Sequence, residues 1–292
     1  MKFSDYIEEW KAKARNRTSE SWKIGQEQVL RAHILPYLGH KNLKSITPSD
    51  ITDVLLASQN KNHSLNQQKK IYMVLSKVFS DAIHFFDLLT KSPVKKRFHL
   101  PEKPKDKERP YLSYEQALIL LEYCMNDPHY GIPVWISILA GPRISELQLL
   151  EWTDIDFKND SITINKSHCN TTGKDRDYTK NKNDYEAPLN PMLKKFLLER
   201  RKLKGLVCNN FTGGMLSRFS FGNYLRRIAK HLKFPVIASH GLRHTCARIY
   251  VELGASDEQI SELLGHKHLL SSKPYVHRKG VSRLKALSKK IA

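Results

Sequence analysis

The chain has 292 residues, more than a single hydrophobic core usually serves, so two domains are expected. Lys and Arg outnumber Asp and Glu by 49 to 29, a formal charge of +20 that points to a polyanionic partner. Cys124, Cys169, Cys208 and Cys246 lie far apart with no Cys-x-x-Cys pair, and no apolar run nears the roughly 18 residues that span a bilayer, so zinc ribbons, disulfide frameworks and membrane spans are all excluded.

The first hundred residues read as helices. Phe3, Tyr6, Ile7 and Trp10 recur at helical spacing, and Ile71, Val74, Leu75, Val78, Phe79 and Ile83 continue the pattern in a longer segment. Between them, Thr47-Pro48-Ser49-Asp50 supplies a cap, a proline at the first helical position and an acid in the first turn. Acidic residues among the first ten leave no basic-then-apolar leader pattern, and a cytoplasmic protein is expected. From Lys91 to Pro110 the apolar period gives way to a basic, proline-rich stretch that reads as a linker. Ser113 then caps a helix through about Tyr123, and Val134–Leu139 starts another apolar segment stopped by Gly141-Pro142. Ser161-Ile162-Thr163-Ile164 alternates as a strand and Tyr185–Leu189 can form a second, with Gly173, Asp175, Asn181 and Asn183 between them as turn formers. Helices resume at Met192–Lys204, Phe221–Leu232 and His240–Leu253, and Ser256 to Gln259 reads as a capping box opening a short helix that Gly265 ends.

Two clusters could carry chemistry. Arg143 follows Gly141-Pro142 at the start of a helix, where its planar fork could meet a phosphate while Glu146, three residues on, orients it. An Arg–Glu pair on a surface helix would read the same. His240 and Arg243, spaced i, i+3, put an imidazole and a guanidinium on one helical face, which suits a phosphate beside a group that gains or loses a proton. Leu264-Gly265-His266 follows, and nine positions beyond that histidine stands Tyr275.

Arg143, the His240-x-x-Arg243 pair, the Leu264-Gly265-His266 step and Tyr275, in this order and at these intervals, resemble the signature of the tyrosine recombinase, or phage integrase, family. Glu151-Trp152-Thr153-Asp154-Ile155-Asp156 and Arg243-His244-Thr245 also look like family text. The resemblance implies a mainly α fold with a small antiparallel β-sheet. It would comprise a helical SAM-like core-site DNA-binding domain over residues 1–98, a basic linker over 99–110, and a catalytic domain over 111–292 that includes a C-terminal tail. It implies a site-specific DNA recombinase acting through a 3'-phosphotyrosine on Tyr275, with Arg143 and Arg243 on the phosphate, His240 as proton acceptor or phosphate ligand, and His266 hydrogen-bonding the phosphate. A lysine on the β-hairpin is expected as general acid; Lys180 is assigned, and Lys182 is its rival because the register of a long hairpin stays open. No cofactor or metal is implied. Double-stranded DNA, a homotetramer on two recombination sites and an accessory DNA-bending or directionality protein are the implied partners, with nucleoid-associated cytoplasm as the location. Two other readings fit the same residues: a type IB topoisomerase-like relaxing enzyme, and a catalytically silent DNA-binding regulator on the same scaffold.

Overall fold

The computed structural model describes residues 1–14, 18–95, 110–179, 184–265, 288, 290 and 291. The chain divides into two compact units, Met1–Lys107 and Glu108–Ala292, each with its own apolar core. The boundary falls within the basic proline-rich stretch, of which residues 96–109 lie outside the described residues.

Among the described residues, the regular elements of the first unit are all helical. Its elements are α1 (Phe3–Lys13), α2 (Glu20–Val29), a π-turn (Leu30–Ile34), α3 (Leu35–Leu38), α4 (Pro48–Asn60) and α5 (Leu65–His84). The expected face of α1 is the buried one: Phe3, Tyr6, Ile7 and Trp10 all pack inward, and Phe3 stacks on Phe79 of α5 with ring centroids 5.5 Å apart. Polar tips on this face are satisfied across the interface. The Tyr6 hydroxyl donates to Val78 O at 2.8 Å, and Trp10 Nε1 donates to Asp81 Oδ2 at 2.7 Å, while Lys77 holds the other Asp81 oxygen at 2.7 Å. Each fully buried aromatic or aliphatic side chain here stabilises the unit by about 1.5–3 kcal/mol. Along α5, Ile83 is only half-buried and Ala82 takes the inward position at the end of the apolar face. The Thr47–Asp50 capping box forms as the sequence spells it. The π-turn ends two residues before Pro36, which has no N–H to continue an α-ladder and so favours a local change of winding.

The second unit surrounds small antiparallel sheets with helices. In chain order it contains α6 (Tyr114–Tyr123), α7 (Gly131–Leu139), α8 (Ile144–Leu147), β1 (Ile155–Asp156), β2 (Ser161–Ile164), β3 (Ser167–Cys169), β4 (Lys174–Arg176) and β5 (Tyr185–Pro188). Four more helices follow: α9 (Pro191–Leu198), α10 (Arg218–His231), α11 (Ser239–Glu252) and α12 (Asp257–Leu263). The strand order is β1-β2-β5, with Ile162 opposite Ala187 and Ile164 opposite Tyr185; β3 and β4 form a separate hairpin. Ile162 and Ala187 are both buried, so one face of this short sheet closes the core. Helix α7 is buried along nearly its whole length and packs beside α11.

Two expectations need correction. Asp175 does not form a turn: it sits in β4 opposite His168, whose Nδ1 lies 2.6 Å from its carboxylate, so a cross-strand hydrogen bond outweighs the turn preference of aspartate. Helix α9 stops at Leu198 instead of reaching Lys204, because the following residues, including Leu203 at 93 % exposure, have no core to cover. Strand β1 gives no warning in the sequence, since two residues are too few to show alternation. Among the described residues no helix is long and apolar enough to cross a membrane.

Candidate active site

The second unit brings two arginines from distant parts of the chain onto one carboxylate. Gly141 adopts φ +70°, a left-handed turn that any Cβ would crowd against Cys246 Sγ at 3.0 Å and Leu264 Cδ2 at 3.2 Å. That turn delivers Arg143 to the N-cap of α8. Its backbone N–H donates to Glu146 Oε2 at 2.8 Å and its Nη1 donates to Glu146 Oε1 at 2.8 Å. The Glu146 side chain is fully buried whereas that of Arg143 keeps 17 % exposure, so the carboxylate anchors the guanidinium from below and leaves part of it open. The orienting role expected of Glu146 is therefore realised in the geometry.

Arg243 enters from α11 and is buried, at 2 % exposure. Its Nη1 donates to Gly141 O at 2.6 Å, its Nη2 donates to Leu264 O, and Nη1 lies 3.9 Å from Glu146 Oε2. A buried guanidinium needs such partners, because an unpaired charge in the interior is severely penalised. This one side chain thus ties together the turn before α8, helix α11 and the end of α12. Nearby, Thr245 accepts the Leu112 N–H at 3.0 Å and donates to Gly241 O at 3.0 Å, fastening the first turns of α11 to the segment before α6.

His240 stands one turn before Arg243 but is exposed, with its ring edge-on to His244 at 4.6 Å between centroids. The two members of the i, i+3 pair therefore share a helix face at different depths. Lys180, its rival Lys182, His266 and Tyr275 lie outside the described residues.

Tyr185, the first residue of β5, is a member of the cluster that sequence reasoning missed. Its hydroxyl donates to Glu146 Oε2 at 2.8 Å. Burial, and next the Glu146 carboxylate, push its hydroxyl pKa well above the ordinary range, which keeps it a neutral donor. Gly265 lies flat against its ring: a Cβ there would come within 2.6 Å of Cε1 and 2.8 Å of Cγ. Burial also pushes the Cys246 thiol up to about 12, against the opposing pull of Arg243, so this cysteine is an inert packing group.

Two guanidiniums against one carboxylate leave a net positive charge, suited to binding an oxyanion and to stabilising charge that builds on it. Among the described residues no group of three or more His, Cys, Asp or Glu is placed to hold a metal ion. A second electropositive feature is a cleft of about 670 Å³ between the β3–β4 hairpin and the start of α10, lined by His168, Asn170, Arg218, Phe219 and Arg226 among others.

Residues 111–280 match the phage integrase family, and residues 2–56 match the phage integrase N-terminal SAM-like domain. The chain belongs to the phage integrase family. Among its relatives, the integrase of Staphylococcus phage L54a is 27 % identical over 222 residues, covering 66 % of this chain and 63 % of that protein. Tyrosine recombinase XerD of Rickettsia prowazekii is 28 % identical over 180 residues, covering 57 % of this chain and 58 % of that protein. This phage integrase family member thus spans about three-fifths of the length of each of these two relatives. In fold it is similar to a lambda integrase tetramer bound to a Holliday junction, with a TM-score of 0.74 at 18 % identity over 96 % of this chain and 80 % of that one. The family's architecture, mostly helical with small antiparallel sheets and a SAM-like N-terminal domain, is the one described above.

Proposed function

We propose that the chain is a site-specific DNA recombinase that cuts and rejoins DNA strands through a 3'-phosphotyrosine on Tyr275, integrating or excising a mobile element. The observation that carries this reading is the convergence of Arg143 and Arg243 on the buried Glu146 within the segment matching the phage integrase family. In this reading Tyr275 attacks a backbone phosphate and expels a 5'-hydroxyl. Arg143 and Arg243 bind the non-bridging oxygens and stabilise the charge of the pentacoordinate transition state. Lys180 protonates the departing 5'-oxygen, His240 accepts a proton or holds the phosphate, and His266 donates a hydrogen bond to it. The phosphotyrosine conserves the energy of the broken bond, so a 5'-hydroxyl from another strand can reverse the step without a cofactor.

Residues 1–98 serve as the core-site-binding domain, 99–110 as a basic tether and 111–292 as the catalytic domain. Double-stranded DNA is the substrate, and four protomers assemble on two sites in the nucleoid-associated cytoplasm, with an accessory DNA-bending or directionality protein choosing the outcome. The net charge of +20 supports a DNA partner through counterion release, and the lambda integrase neighbour, a tetramer on a Holliday junction, supports the assembly.

The decisive experiment incubates the chain with DNA from the flanks of its source gene and resolves the products on a denaturing gel. The wild type should form a covalent protein–DNA adduct, while Tyr275→Phe should bind the duplex and form none. An adduct that survives denaturation in the variant would reject Tyr275 as the nucleophile.

A further inference from the structure

We infer that Tyr185 is a positioning residue that holds the Arg143–Glu146–Arg243 cluster in its phosphate-binding geometry. The inference rests on the recombinase reading for its consequence but on the structure for its argument. Glu146 Oε1 accepts from Arg143 Nη1, while Oε2 accepts from the Arg143 backbone N–H and the Tyr185 hydroxyl, with Arg243 Nη1 at 3.9 Å. A carboxylate has about four lone-pair sites, so this one is close to saturated, and each donor limits where the others can sit. Tyr185 is the uncharged side-chain donor of the set. It fixes the carboxylate without consuming the positive charge that the two guanidiniums present to a phosphate.

The position of Tyr185 gives the contact its reach. As the first residue of β5, paired with Ile164 of β2, it is anchored in the sheet while its hydroxyl extends to α8. Its ring also backs Gly265, at φ +55°, one residue after the Leu264 carbonyl that accepts from Arg243. One side chain thereby meets the carboxylate that orients Arg143 and the chain segment that holds Arg243. In sequence it lies just after Lys180, and Gly265 just before His266.

Tyr185→Phe tests this, because it keeps the ring that packs on Gly265 and removes only the hydroxyl. Single-turnover cleavage is measured on the wild type's mapped site, once with the natural phosphodiester and once with an uncharged methylphosphonate at the scissile position. Losing one hydrogen bond to an ionised group should slow cleavage of the phosphodiester about tenfold with unchanged duplex affinity. The methylphosphonate lacks one charged oxygen and depends less on the guanidiniums, so the variant should lose less than about twofold there. Equal losses on both substrates, or no loss on either, would overturn the positioning role. A second readout does not depend on activity: in the free protein the Arg143 Nε–Hε resonance should shift in the variant, and an unmoved resonance would also overturn it. If the wild type forms no adduct but the resonance shifts, the recombinase reading fails while the coupling of Tyr185 to the arginines stands.

Discussion

Replacing Arg243 by alanine should destabilise the second unit before any question of catalysis arises. The side chain is 2 % exposed, and its loss leaves Gly141 O and Leu264 O without their donor and takes one of two cations away from the buried Glu146. Removing one partner of a buried pair costs about 3–5 kcal/mol. Counting instead two hydrogen bonds from a charged group, at about 1.5–3 kcal/mol each, gives a similar figure for the same loss. Because Arg143 still faces Glu146, about 4 kcal/mol is the expectation, and at roughly 2–4 °C per kcal/mol for a unit of this size the melting temperature should fall by about 8–16 °C. Arg243→Lys keeps the charge but not the planar fork that reaches two carbonyls at once, so it should lose about half as much. Scanning calorimetry of the full chain reads both values as a shift in the transition of the second unit. A variant melting within about 2 °C of the wild type would refute the argument that the guanidinium is a structural brace. Any cleavage defect of these variants has meaning only well below the lowered transition.

Two further outcomes follow from the same structure. Gly141→Ala imposes a left-handed φ on a residue with a Cβ and drives that atom toward Cys246 Sγ at 3.0 Å, so it should cost about 2–4 kcal/mol. Urea denaturation should show part of the loss recovered in the double variant with Cys246→Ala, and no recovery would mean that crowding at the sulfur is not the cause. In the first unit, burial foremost, then His63 and Lys61, lower the pKa of His33, whose Nε2 lies 3.0 Å from Gln67 Nε2. A base with a depressed folded-state pKa binds its proton more readily when unfolded. Its stabilising contribution is therefore complete above the ordinary value of about 6.5 and is lost as pH falls through that value. The first unit should be less stable at about pH 5.5 than at about pH 7.5, and His33→Asn should flatten the difference. Exchange mass spectrometry of α5 peptides, corrected for intrinsic rates, would show an unchanged slope in that variant if His33 were not responsible.

Much of the local structure was legible because its causes are local. Thr47 with Asp50, Ser113 with Gln116, and Ser256 with Gln259 each cap a helix where the sequence places them, since a capping box spans only four residues. The buried face of α1 follows from the spacing of Phe3, Tyr6, Ile7 and Trp10 for the same reason. The pairing of Arg143 with Glu146 is also an i, i+3 contact, and it was anticipated on that basis. Asp175 shows where such rules fail: its turn preference is local, but its partner His168 lies seven residues away across a hairpin.

By itself, then, the sequence determined most of the helices, several of their caps, the basic character and the ordered set of residues that resembles a phage integrase. Only the tertiary structure decided that Arg243 is a buried brace bonded to a carbonyl 102 residues away, that His240 stays at the surface one turn earlier, and that Tyr185 reaches Glu146 across 39 residues. The reason is physical. Periodicity and capping act over about one helical turn, whereas the depth of a side chain and the identity of its distant partner depend on how separate elements pack, which no local pattern encodes.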